Sequence, residues 1–131
     1  MKYLLDTEVW LWMQADPDRI GRHTMNILTN DRNELFLSAA SGWEIAQKFR
    51  RGRLRLPEPP DDWVPDRLLT SGVNGLSIAH SHALAVSRMD DRQHDPIDRL
   101  LIGQAIIEHL PIISTDSRLA VFDTEFIDAT T

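Results

Sequence analysis

The 131 residues, 42% hydrophobic and 26% charged, sit close to the averages of soluble globular proteins, so a packed core is expected and a second domain has little room. The absence of cysteine removes disulfide frameworks, thiolate nucleophiles and cysteine zinc sites, and no apolar run nears the ~20 residues that span a bilayer. A net charge of -6 speaks against a broadly basic nucleic-acid surface, unless several acids gather around divalent cations that invert the local field.

Taken in chain order, short apolar strands alternate with helical stretches, the pattern of an α/β protein with a short parallel sheet of four to five strands flanked by helices. Tyr3-Leu4-Leu5 predicts a first strand ending at Asp6-Thr7. The acid comes too early for a signal peptide, so a soluble, cytoplasmic protein with no membrane partner is the expectation. Val9 to Met13 predicts a helix, and Asp16-Pro17 opens another to about Asn30. Leu35 to Ser38 reads as a second strand, and Ser41 opens a helix to about Arg51. After the loop marked by Pro57, Pro59 and Pro60, Asp61 to Leu69 is helical in composition, with Pro65 blurring its start. Val73 to Ile78 predicts a third strand, His80 to Met89 a helix and Asp90 to Asp95 a polar loop. Pro96 to His109 predicts a helix apolar on most faces, hence buried. Ile112-Ile113-Ser114 is a fourth strand ending at Thr115-Asp116, and Phe126-Ile127 a candidate fifth. No repeat or linker interrupts residues 1–131, which read as a single domain.

Four acids fall at one predicted edge. Asp6 and Asp116 follow strands directly, and Glu44 and Asp98 lie in first helical turns. Ligands of open parallel sheets bind beyond the carboxyl ends of the strands, where the following helices begin. Each acid also has a local reading. Ser41-Gly42-Trp43-Glu44 has the spacing of a capping box, Asp95 and Asp98 suit a helix start with Pro96 at its first position, and Asp116 can cap a short helix around Ser117 to Val121. Asp6 resists such an account, because an acid after a buried strand costs several kcal/mol when dry and unpaired. If the four converge, a cation must offset their repulsion. Oxygen-only ligands favour Mg²⁺ or Mn²⁺, which can activate water against a phosphodiester.

The same residues resemble a known family. Leu4-Leu5-Asp6-Thr7-Glu8-Val9-Trp10-Leu11-Trp12 resembles the opening of PIN-domain proteins, in particular the VapC-type toxins of toxin–antitoxin pairs. The stretch from Ser38 to Leu54 is similar to the family's second block, Asp95-Pro96-Ile97-Asp98-Arg99-Leu100-Leu101 to its D-P-x-D-R-L-L motif, and Ile113 to Asp116 to its fourth block. The resemblance implies a Rossmann-like three-layer fold and Mg²⁺- or Mn²⁺-dependent endoribonuclease activity. It further implies a cognate antitoxin and a homodimer. It carries metal-binding and catalytic roles onto Asp6, Glu44, Asp98 and Asp116. Glu8 and Ile97 depart from the usual pattern, the first adding a carboxylate beside the site.

Lys48, Arg50, Arg51, Arg53 and Arg55 form a basic run with no acid among them, suited to RNA or antitoxin contact or, more blandly, to a solvated helix end. Trp10, Trp12, Trp43 and Trp63 are expected in the core or at interfaces, and Trp10 and Trp12 cannot share a helix face. His80 and His82 are expected at the surface, His94 beside the pocket, and Arg99 either steadying a carboxylate or in a plain ion pair. A non-catalytic binding module of the same fold is the competing class. A phospho-acceptor domain ranks last, since it would normally add a lysine late in the chain and none follows Lys48.

Overall fold

A computed structural model describes residues 1–89 and 95–131. Strands β1 (Lys2–Leu5), β2 (Glu34–Ser38), β3 (Val73–Leu76), β4 (Ile112–Ser114) and β5 (Phe126–Asp128) form one parallel sheet in the order β3-β2-β1-β4-β5. Helices α1 (Thr7–Ala15), α2 (Arg22–Leu28), α3 (Ala39–Arg50), α4 (Pro60–Ser71), α5 (His80–Val86) and α6 (Pro96–Glu108) cover its two faces.

Both faces of the central strands β1 and β4 are buried, which is why these read as continuous apolar runs rather than alternating ones. Tyr3 and Leu5 of β1 point into one core with Trp10 of α1, Ile45 of α3 and Trp63 of α4. Leu4 points the other way, into a second core with Ile112, Leu101 and Ile102. No helix among the described residues is long and apolar enough to cross a membrane.

Several boundaries differ from the sequence expectation for identifiable reasons. The helix expected to open at Ser41 begins at Ala39, because the Ser38 hydroxyl accepts the Ala40 N–H at 3.0 Å and is its cap. The expected helix from Asp16 to Asn30 is broken into a 3-10 turn, Pro17–Arg19, and α2. Between them Gly21 lies against Thr130 and Thr131 with no room for a Cβ, and its N–H donates to the Ala129 carbonyl at 2.9 Å. Pro60 takes the first position of α4 that proline favours, and the helix continues through Pro65. Trp63 anchors it, edge-to-face against Trp10 with ring centres 5.6 Å apart.

His82 is buried, only 3% exposed, rather than at the surface as expected. Its Nδ1 accepts the Ala79 N–H at 2.9 Å, closing the start of α5, while Nε2 lies 3.7 Å from a Glu108 carboxylate oxygen. The burial follows from Gly103 on α6, where an added Cβ would stand 2.8 Å from the His82 carbonyl oxygen.

Candidate active site

The chain passes from β1 to β2 on one side of β1, whereas β4 pairs on the other. The crevice of such a sheet opens where the order reverses, at the carboxyl ends of β1 and β4. Asp6 follows β1 and Ser114 ends β4. The Ser114 hydroxyl donates to Asp6 Oδ2 at 2.6 Å and accepts the Asp116 N–H at 3.0 Å, so one small side chain joins acids from opposite ends of the sequence.

Asp116 also caps the 3-10 turn Ser117–Val121, accepting the Arg118 N–H at 3.0 Å, and the Arg118 guanidinium grips its carboxylate at 2.9 and 2.7 Å. Asp95 is the cap of α6, its Oδ1 accepting the Asp98 N–H at 2.8 Å. Capping therefore falls to Asp95, and Asp98 stands within the first turn of α6. Glu44 is half-buried on α3 and takes no part in a capping box, since the helix starts too early; it pairs with Lys48 at 3.4 Å. Ser41, the supposed cap, instead accepts the Thr7 hydroxyl at 2.7 Å and ties α3 to the start of α1.

All four acids belong to one electrostatic group. Burial pushes the Asp98 carboxyl up to about 7, and the negative charges of Asp95, Asp6, Asp116 and Glu44 add to it in that order. Burial likewise raises Asp6; Ser114 and the Thr7 N–H oppose the shift, while Glu44 and Glu8 reinforce it. Glu8, exposed on α1, accepts the Thr115 hydroxyl at 3.3 Å. Ionised carboxylates that repel one another in a partly dry crevice are stabilised by a hard cation, and the donors here are all oxygen. Among the described residues no three acidic or imidazole groups converge closely enough to enclose an ion. An ion such as Mg²⁺, which keeps several of its waters, suits a loose set of this kind. The donor chemistry fits.

Sequence reasoning missed Ser114 and Arg118. A hydroxyl at the end of a fully buried strand must find a partner, which was the available signal for Ser114. Lys48, Arg50, Arg51, Arg53 and Arg55 are all exposed and run down the carboxyl end of α3 and beyond, away from the acids at its other end. Trp10 is fully buried and Trp12 half-buried, as their helical spacing required. His94 lies outside the described residues.

Comparison with known proteins gives three further findings. The family described as PIN domain matches residues 3–125. The chain is 48% identical over 59 residues to Ribonuclease VapC16 of Mycobacterium tuberculosis (strain ATCC 25618 / H37Rv), a stretch covering 45% of this chain and 42% of that relative. The match thus spans under half the length of the curated relative. Among solved structures, VapBC2 from Rickettsia felis bound to a promoter DNA fragment aligns with a TM-score of 0.73 at 12% identity, covering 98% of each chain. A toxin–antitoxin complex from Klebsiella pneumoniae aligns with a TM-score of 0.61 at 13% identity, covering 97% of each. At such identities the likeness is one of fold.

Proposed function

Because the chain belongs to the PIN-domain family, we propose that it is a metal-dependent endoribonuclease and the toxin of a VapBC-type toxin–antitoxin pair. One observation carries the reading: Asp6 and Asp116, 110 positions apart, follow neighbouring strands and share Ser114. The identity to a relative named as a ribonuclease supports the choice of RNA. Likeness in fold to chains of toxin–antitoxin complexes supports an antitoxin partner. We assign the protein to the cytoplasm as a homodimer, with 1–131 as one domain.

Asp6 and Asp98 would hold Mg²⁺ or Mn²⁺, with Glu44 and Asp116 completing the set. The cation, when bound, supplies the positive charge that eases ionisation of water and offsets charge building on the phosphate. The remaining work belongs to the chain. Ser114 fixes the orientation of Asp6 and Arg118 that of Asp116, while the Thr7–Ser41 bond ties α3, which carries Glu44, to the start of α1. The exposed Lys48, Arg50, Arg51, Arg53 and Arg55 would bind RNA phosphates or the antitoxin.

Asp6→Asn and Asp98→Asn test the assignment. Each should lower RNA cleavage at least ~100-fold while leaving the circular dichroism spectrum intact, since losing one charge stabiliser at a reacting centre costs about 3 kcal/mol or more. Parental cleavage by either purified, metal-loaded variant would remove the assigned roles, whereas RNA binding with no cleavage by the parent at any Mg²⁺ concentration would favour the non-catalytic binding module.

A further inference from the structure

Three of the four tryptophans are spent on the fold. Trp10 and Trp63 pack against each other in the core, and the indole of Trp12 is covered by the Arg19 guanidinium at 4.7 Å. Trp43 is different. It is 58% exposed in the second turn of α3, beside Glu44, and among the described residues no ring or guanidinium lies over it. Long side chains on a helix lean toward its N-terminus. For α3 that is the carboxyl edge of the sheet, where the acids stand.

Its surroundings decide what it suits. On the same helix face, four and seven positions along, lie Gln47 and the exposed Arg50, so the patch is no apolar seam for a partner helix. Between Glu44 and Glu58 the chain carries five basic residues and no acid, in a protein of net charge -6. An exposed aromatic ring bordered by cations is the combination that holds single-stranded nucleic acid, through base stacking and phosphate contact.

We propose that Trp43 is a stacking platform for an unpaired RNA base next to the cleaved phosphate, with Arg50 holding a phosphate further along, so that single-stranded or looped segments are the substrate. The proposal rests on the ribonuclease reading above. It makes the first half of α3 a substrate-selecting surface rather than only the carrier of Glu44.

Trp43 fluorescence reads this without cleavage. In an Asp6→Asn background, a short oligouridylate should quench the emission, and the same sequence in a duplex should not. Trp43→Phe should abolish the quench while keeping affinity within about threefold, and Trp43→Ala should weaken binding about 5- to 150-fold, the worth of one stacked base. In the cleaving protein Trp43→Ala should raise KM by a similar factor with little change in kcat, with Trp43→Phe restoring it. Parental affinity in Trp43→Ala, equal quenching by duplex, or unchanged RNA binding with loss of a protein partner or a second copy would each overturn the proposal. A protein that quenches on single-stranded RNA yet never cleaves it would instead sink the ribonuclease reading, and of the proposal only base stacking on Trp43 would stand.

Discussion

At the scale of single residues, Asp98 couples protonation to stability. Its folded-state pKa of about 7 lies above the ordinary 3.8, so the folded chain binds this proton more tightly than the unfolded chain does. The stability it contributes is fully present below pH 3.8 and is lost as pH rises through about 7. Asp6, also raised, acts in the same direction. Asp128 acts oppositely: the Thr130 hydroxyl and N–H hold its carboxyl below the usual range, and that contribution is lost only under stronger acid. Without divalent cations, the melting temperature should therefore fall by several degrees between pH 5 and 8. Asp98→Asn should flatten that slope, and added Mg²⁺ should raise stability most at the alkaline end. A metal-free melting curve indifferent to pH across this window would contradict the burial and repulsion described for the crevice.

Among the secondary-structure elements, the pairing of α5 with α6 depends on a missing side chain. A Cβ on Gly103 would meet backbone at 2.8 Å, and backbone cannot swing away as a side-chain tip can. Gly103→Ala should cost about 1–3 kcal/mol, measured by urea denaturation, with α5 loosening first and His82 becoming accessible to chemical modification. Equal stability would mean that α5 can slide at little cost. This contact also explains where the sequence was legible and where it was not. The five strands and the edge at which Asp6, Glu44, Asp98 and Asp116 gather could be read from apolar runs and from acids following them, because both are local signals joined by a general rule of parallel sheets. The burial of His82 could not, since it depends on a glycine 21 positions later. Nor could the break at Gly21, which answers to residues at the far end of the chain. The cap of α3 was misplaced for a narrower reason: Ser38 and Ser41 both have suitable hydroxyls, and only the bond from Thr7 assigns Ser41 elsewhere.

For the whole molecule, an acidic protein presents a basic stretch whose helix begins near its carboxylates. Lys48, Arg50, Arg51, Arg53 and Arg55 are exposed, and among the described residues only Lys48 is drawn to an acid, Glu44 at 3.4 Å. Reversing Arg51 and Arg53 to glutamate should weaken RNA binding at low salt by about tenfold or more and should shallow the salt dependence of affinity by roughly two phosphate contacts. Binding titrations at several salt concentrations measure both, and unchanged affinity at low salt would take the stretch out of RNA recognition.

The docking of β4 beside β1 joins residues separated by more than 100 positions. A polypeptide emerging from the ribosome exposes Asp6 more than 100 residues before it supplies Ser114 and Asp116. Until β4 pairs with β1, the crevice lacks one wall, and Asp6 has neither Ser114 nor Asp116 beside it. The strand order thus sets when the crevice can form.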